Sequence, residues 1–522
     1  MKSILAWQRC RLTAVIAVAL LVVACGGGGG GGADATVPGS NTTTTGLPGG
    51  STPTPAPTPV STPTPIPSTL LDPTIISKPG EGGNFPPVVA VDAAGNAISV
   101  WRREVDTSTF PYKYELLARR YVAGSGWQSI QVLASGSTPT IEQPQLTIHP
   151  ATGKAMAVWI ERRAAANGAN GDVVARIYDP ATGWAPVVTI ESNKPMIRFN
   201  VELATDVSGN MMAVWSRYES LQATIYASRY TAAGGWSAPV RIDDENTVAG
   251  GGGGMRVTFL SNGNALVVWN SLRGGSTSNI WGNQYSVGSG WGTNALVMSG
   301  SGAQTSGLIR LLGGVRGLAA DQNGNAVMTF ENQQLFRNPS RYEQNLWSKR
   351  YSGGAWGADS TAVPVGVPFT CTNCPSVYGG SVSMNAQGAA VATWELPNAN
   401  GKNVVWAARS RNDGTWEPQA LNTDIPEFLQ RGEFAQAGID DQGNITVVWS
   451  ATNEVTAKTD INSARYTAGS GWAAPALLED YGGTADQPKI AMNARGYAMT
   501  VWMLFENTVG TVIASRYYSS GR

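Results

Sequence analysis

Arginine and glutamate gather at one kind of place in this sequence, just after an aromatic residue that ends an apolar run. Arg102, Arg103 and Glu104 follow Trp101; Glu161, Arg162 and Arg163 follow Trp159; Arg217 and Glu219 follow Trp215. Glu331 follows Phe330, with Arg341 a little beyond, while Glu395 follows Trp394 and Glu506 comes shortly after Trp502. Guanidinium groups offer bidentate donors and carboxylates accept from hydroxyls, so this mixture suits a polar ligand such as a glycan or a peptide. Solvated loops would carry the same mixture. Two carboxylates about 5 to 10 Å apart could hydrolyse a glycoside, but the sequence selects no such pair.

Six more arginines, Arg120, Arg229, Arg350, Arg409, Arg465 and Arg516, recur one residue before the aromatic position of another apolar run. They read as strand-surface residues whose aliphatic stems cover tryptophan, with repeated sugar contacts as the alternative. The single histidine, His149, excludes a histidine-rich metal site. Charged residues are only 14% and the formal net charge is zero, which argues against a nucleic-acid partner held by phosphate neutralisation. No cofactor is implied. Cys371 and Cys374 form an isolated C-x-x-C with no second pair to complete a zinc site, and read as a local disulfide.

These groups hang on a repeat. Turn glycines stand at Gly95, Gly153, Gly209, Gly263, Gly324, Gly388, Gly443 and Gly496, and six residues after each comes a tryptophan or, once, Phe330. The eight copies begin about every 57 residues. Each reads as a short strand, an Asp-x-x-Gly turn, a strand ending in the aromatic, a strand ending in Tyr, and Gly-Trp opening a fourth. Asp92, Asp206, Asp321 and Asp440 begin such turns, and the pattern fits a type I turn better than a calcium loop, which needs several converging oxygens. The third strand ends at Tyr121, Tyr178, Tyr230, Tyr285, Tyr351, Tyr466 or Tyr517, with Ser410 the exception. Pro186, Pro239, Pro418 and Pro475 fall in the fourth strand, which marks it as the edge of its sheet. Four short strands repeated radially predict an all-β, eight-bladed propeller of antiparallel blades over residues 69–522. The eighth copy lacks its Gly-Trp strand. The segment Leu70-Leu71-Asp72-Pro73-Thr74-Ile75-Ile76-Ser77 is expected to supply it and close the ring.

The repeats resemble sialidase-like propellers and, in their Gly-Trp and Arg-Tyr elements, fucose-binding propeller lectins. The likeness is architectural. The turn has one more residue than the sialidase Asp-box, and no glutamate holds a constant place, so no catalytic or binding residue carries over.

Ahead of the repeats, Lys2, Arg9 and Arg11 precede an apolar run from Leu12 to Ala24, giving an export signal over residues 1–24. Leu21-Val22-Val23-Ala24-Cys25 resembles the lipobox of bacterial lipoproteins, which implies lipidation of Cys25, and Gly26 after it resembles outer-membrane sorting. Residues 25–68 are Gly-rich and then Thr/Pro/Ser-rich, a disordered spacer able to reach on the order of 100 Å at ~3.1 Å per residue. The expectation is an exported, membrane-anchored, monomeric binding module for a glycan, another polar ligand or an envelope protein. The first alternative is a carbohydrate-active hydrolase or lyase using loop carboxylates; the second is a structural protein of an envelope complex.

Overall fold

The computed structural model describes residues 73–517 apart from position 79, parts of 107–112 and 137–143, and the segments 163–169, 196–200, 220–221, 245–253, 272–278, 301–307, 338–339, 367–368, 372–377, 398–402, 412, 423–434, 453–457, 480 and 507–508. The export signal, Cys25, the spacer, Arg163 and Cys374 lie outside the described residues, as do the side chains of Arg341 and Cys371.

In blade one the inner strand Val88–Val91 pairs with Ala97–Asp106, which pairs with Lys113–Val122. Its outer edge is Gly126–Trp127 and then Gln131–Gly136, both on the third strand. Seven more antiparallel sheets repeat this order. Their inner strands are Gln145–Ile148, Glu202–Thr205, Arg256–Phe259, Leu308–Ala320, Tyr378–Met384, Gln436–Ile439 and Thr484–Met492. Each inner strand packs on the next and the eighth packs on the first, so the blades form a closed eight-membered ring around an axis. The outer strand is interrupted where Pro186, Pro239 and Pro475 fall between the Gly-Trp pair and the second piece. Without an N–H, proline cannot extend the ladder.

The hairpin turns explain their own sequence. Asp92 Oδ1 accepts from the backbone N–H of Ala94 and Asn96, both at 2.9 Å, and Oδ2 accepts from Asn96 Nδ2 at 2.8 Å. Gly95 takes φ +83°, which a side chain would resist. Asp206, Asp321 and Asp440 repeat the arrangement, so each carboxylate is engaged by its own turn. His149 replaces the aspartate in blade two: Nδ1 accepts from Thr152 N at 3.1 Å and Nε2 donates to Val207 O at 2.9 Å.

The recurring aromatics form the core. Trp101, Trp159, Trp215, Trp269, Phe330, Trp394, Trp449 and Trp502 are fully buried. Trp159 packs on Ile98, Val100 and Leu116 of blade one, and Trp215 on Val158, Ile160 and Val173 of blade two. The second strand is thus buried on both faces because blades lie on both sides of it.

The N-terminal segment closes the ring. Thr74 and Ile75 pair antiparallel with Ala514 and Ile513 of the last strand, Val509–Tyr517. Ile76 N donates to Val512 O at 2.9 Å, Ser77 Oγ accepts from Val512 N at 3.0 Å, and the Ile76 side chain is fully buried between blades eight and one.

Candidate functional site

The hairpin turns after the inner strands define one face of the ring. The ends of the second strands and the connections between blades define the other, hereafter the loop face. The strand-end Arg and Glu residues lie on the loop face, and the structure gives most of them partners, from those connections in blade one and from neighbouring strands elsewhere.

Arg103 is ion-paired with Glu81 and, at 2.7 Å, with Glu115. The Arg102 guanidinium lies 3.6 Å from the centroid of the Phe85 ring, and its Nη1 donates to Ile141 O of blade two. Glu104 N donates to Gly83 O at 2.7 Å. Glu161 accepts from Trp159 Nε1 at 2.9 Å, and Arg162 is buried. Arg217 forms a buried pair with Glu191, which also accepts from Trp215 Nε1 at 2.8 Å, and it stacks 3.5 Å over the Tyr226 ring. Glu219 accepts from Arg217 and from Tyr226 Oη, each at 3.2 Å. Glu331 accepts from Arg316 at 2.8 Å and from Gln344. Glu395 is buried, whereas Glu506 is exposed. Such a set braces strands within and between blades, as buried and bidentate pairs do.

The repeated arginines are structural in the same sense. Five of the six reach the tyrosine of the next blade: Arg120 over Tyr178 at 5.5 Å, Arg229 over Tyr285 at 5.4 Å, Arg409 over Tyr466 at 4.8 Å, Arg465 over Tyr517 at 3.9 Å and Arg516 over Tyr121 at 4.5 Å. Between blades four and five Gln284 takes the arginine's place and accepts from Tyr351 Oη at 2.9 Å.

A set of residues not singled out in the sequence lies on the axis. At one register position, opposite the residue before the buried aromatic, the inner strands carry Val88, Gln145, Glu202, Arg256, Gly317, Ser381, Gln436 and Lys489. No two neighbours in this ring are alike. Arg256 Nη1 lies 3.3 Å from Glu202 Oε1, and Arg256 Nε donates to Arg316 O at 3.2 Å. Lys489 comes from blade eight, across the axis from blades three and four, and still feels the charges of Arg256 and Glu202. Side chains from opposite walls therefore converge at the loop-face end of the channel.

Glu202, Arg256 and Lys489 keep a water-accessible edge, yet the ring of strands walls them in. Burial pushes the Glu202 carboxyl above the usual carboxylate range, with Arg256 and Lys489 opposing the shift. Burial pulls the Lys489 ammonium below the usual lysine range, Arg256 adds to that shift, and Glu202 opposes it. Both groups are moved toward neutrality, as desolvation requires. The sequence signal for this ring was variability itself, at a fixed distance of seven residues before the turn glycine in most copies.

At the turn-face end the channel opens into a mouth of about 270 Å³ that includes Val207, Leu260, Met384, Asp441 and Met492. Among the described residues no three of His, Cys, Asp and Glu group as metal ligands.

Solved structures share the propeller fold at low identity. One is polysaccharide lyase Uly1, at 10% identity and TM-score 0.42, covering 84% of this chain and 90% of that chain. Another is the Penicillium chrysogenum α-L-arabinanase complexed with arabinobiose, at 14% identity and TM-score 0.38, covering 62% and 92%. A third is the leech intramolecular trans-sialidase, at 10% identity and TM-score 0.37, covering 81% and 83%. No protein-family model and no curated protein matches the sequence. The likeness is one of fold.

Proposed function

We propose that this propeller is an exported binding module that takes one acidic, polar ligand, a glycan or a segment of an envelope protein, at the loop-face end of its axis. The carrying observation is the unlike ring of inner-strand residues in which Glu202 and Arg256 pair and Lys489, on a facing blade, lies within range of their charges. A multivalent lectin repeats its contacts, and the positions that repeat here are occupied with holding blades together. A single axial site instead needs a different residue from each blade. Two cations against one carboxylate leave a local positive excess in a chain of zero net charge, so an acidic group on the ligand is favoured by the site and not by a global field.

Lipidation at Cys25 and the Pro-rich spacer belong to the same proposal, because they would hold the ring off an outer membrane where it can meet such a ligand. A second reading rests on the opposed shifts of Glu202 and Lys489. A carboxyl and an amine both moved toward neutrality could serve as acid and base on an acidic glycan.

The test is a glycan array followed by calorimetry on the hits. Arg256→Gln and Lys489→Met should each weaken binding about tenfold, while Arg229→Gln should not. Equal affinity in all three variants removes the axial site. Product formation from a bound glycan, abolished by Glu202→Gln, would replace the binding reading with the enzymatic one.

A further inference from the structure

The ring of arginine–tyrosine stacks has a gap between blades five and six. Arg350 projects from blade five as its sisters do from theirs, but the facing position in blade six is Ser410 instead of tyrosine. Ser410 Oγ turns to its own sheet and accepts from Ala390 N at 2.8 Å. Trp416, which would pack on the missing ring, instead donates from Nε1 to Ser348 Oγ of blade five at 2.8 Å. In the other complete blades the tryptophan stays against its tyrosine, as for Tyr121 and Trp127 at 5.6 Å between centroids. The lost phenol leaves a cleft of about 280 Å³ on the turn face, lined in part by Asp321, Asn323, Asn325, Arg350, Ser352 and Ser410.

Arg350 is left without a hydrogen-bonded counter-group, and the charge that acts on it is that of Asp321, which lines the same cleft. Its Nε is buried with no hydrogen-bond partner, and among the described residues its guanidinium makes no ion pair and no ring contact. Neighbouring acids are engaged elsewhere. Asp321 Oδ1 accepts from the N–H of Asn323 and Asn325, each at 2.8 Å, and its Oδ2 accepts from Asn325 Nδ2 at 2.8 Å. Glu417 is shared by Arg409 at 2.5 Å and Arg411 at 2.8 Å. A half-buried cation before an open cleft, offset only by the charge of Asp321, is stabilised further when an anion arrives. Burial pulls the Arg350 guanidinium below the usual arginine range, with the Asp321 charge opposing the shift.

We propose that this cleft is a second, separate ligand site, which takes a carboxylate on a small polyhydroxylated body, of the size of a sugar acid, with the carboxylate on the Arg350 guanidinium. The size is at the bottom of the ~300–1,000 Å³ range of small-molecule pockets, which suits one sugar ring and not an extended chain. The walls decide against an aromatic occupant. A ring would cover the face of the cation but leave the surrounding amides and hydroxyls unpaired, whereas a sugar acid supplies hydroxyls to them. The site does not depend on the axial one, which lies at the other face.

Calorimetry with glucuronate on the full chain tests this. Glucuronate should bind with a Kd on the order of 1 mM, and glucose, which lacks the carboxylate, should give no heat. Arg350→Gln should weaken glucuronate at least tenfold. Ser410→Tyr, which restores the repeat and fills the cleft without removing a charge, should do the same. Lys489→Met should leave glucuronate binding unchanged, which separates this site from the axial one. A galacturonate trimer that competes better than the monomer would identify the ligand as the end of an acidic polymer; equal competition would identify a free sugar acid. Equal heats from glucose and glucuronate, binding of p-cresol in place of glucuronate, or glucuronate affinity untouched by both variants would each overturn the proposal.

Discussion

Ring closure places two adjacent isoleucines in opposite environments, which makes it a quantitative test. Ile76 is 0% exposed in the seam between blades eight and one, whereas Ile75 is 40% exposed on the same short segment. Ile76→Ala removes three buried carbons at ~0.8 kcal/mol each and leaves a cavity, so its expected cost is about 2–5 kcal/mol. The backbone bonds of this segment to Val512 remain. Unfolding entropy of ~2.1 cal/mol/K per residue over roughly 440 residues makes this about a 2–5 °C drop in Tm, provided the ring melts as one unit. Ile75→Ala should lower Tm by less, about 1–2 °C, because two-fifths of its area stays in water and solvent fills the space it leaves. Deleting residues 69–79 should do far more. It uncovers the edge of Val509–Tyr517, and an unpaired edge beside a broken seam invites strand addition from a second molecule. Differential scanning fluorimetry reads the first two, and size-exclusion chromatography reads the aggregation of the third. A deletion of residues 33–60 serves as the control of similar kind and should change neither measurement. Equal melting of the Ile75 and Ile76 variants, or a 69–79 deletion as stable and monomeric as the control, would refute the closure argument.

Three further outcomes are expected. Lys489 has a depressed folded-state pKa, so its charged form costs stability at pH values below that pKa and the cost vanishes above the unfolded lysine range. Lys489→Met should therefore be more stable than the parent near neutral pH, with the gap closing as pH rises toward about 11; a less stable variant with a pH-independent gap in urea midpoint contradicts this. Glu191→Gln removes the charge that pairs with Arg217 and turns one of its two acceptor oxygens into a donor, which should cost about 3 kcal/mol by urea denaturation, while the Glu191→Gln, Arg217→Met pair should cost less than the sum of its singles. Mass spectrometry of membrane-extracted protein should find a diacylated Cys25 at the mature N-terminus, and an unmodified terminus elsewhere would remove the anchor.

The architecture was legible because every copy solves the same packing problem. A buried tryptophan six residues after a turn glycine can be read without knowing which blade it faces, since a blade lies on either side. The closing strand was legible for a related reason: the last copy lacked a fourth strand, and Pro73, Thr74 and Ile75 had its composition. Partners across blades were not legible. Nothing local says that Arg217 will meet Glu191, or that Arg120 will lie over Tyr178, because these contacts depend on how one sheet is turned against the next. The axial residues escaped notice because they share no residue type. Glu202, Arg256 and Lys489 look like scattered charges until the inner strands are aligned by register.

A repeat protein can place function only where its copies are free to differ. The aromatics, the turn aspartates and the arginine–tyrosine stacks are fixed by the blade interfaces, and changing any of them changes packing before it changes recognition. Two departures remain that have no packing purpose of their own. One is the ring of unlike side chains on the axis, where Lys489, on a facing blade, feels the charges of Arg256 and Glu202. The other is Ser410, which removes a tyrosine and leaves Arg350 facing a cleft. Both put positive charge in a walled recess, in a chain of zero net charge with Asp and Glu as numerous as Lys and Arg. Long-range attraction of anions is therefore weak, and selectivity has to come from short-range contact inside the recesses. Binding at either recess should accordingly depend less on salt than binding to an exposed basic surface would, because walled-in charges are poorly screened.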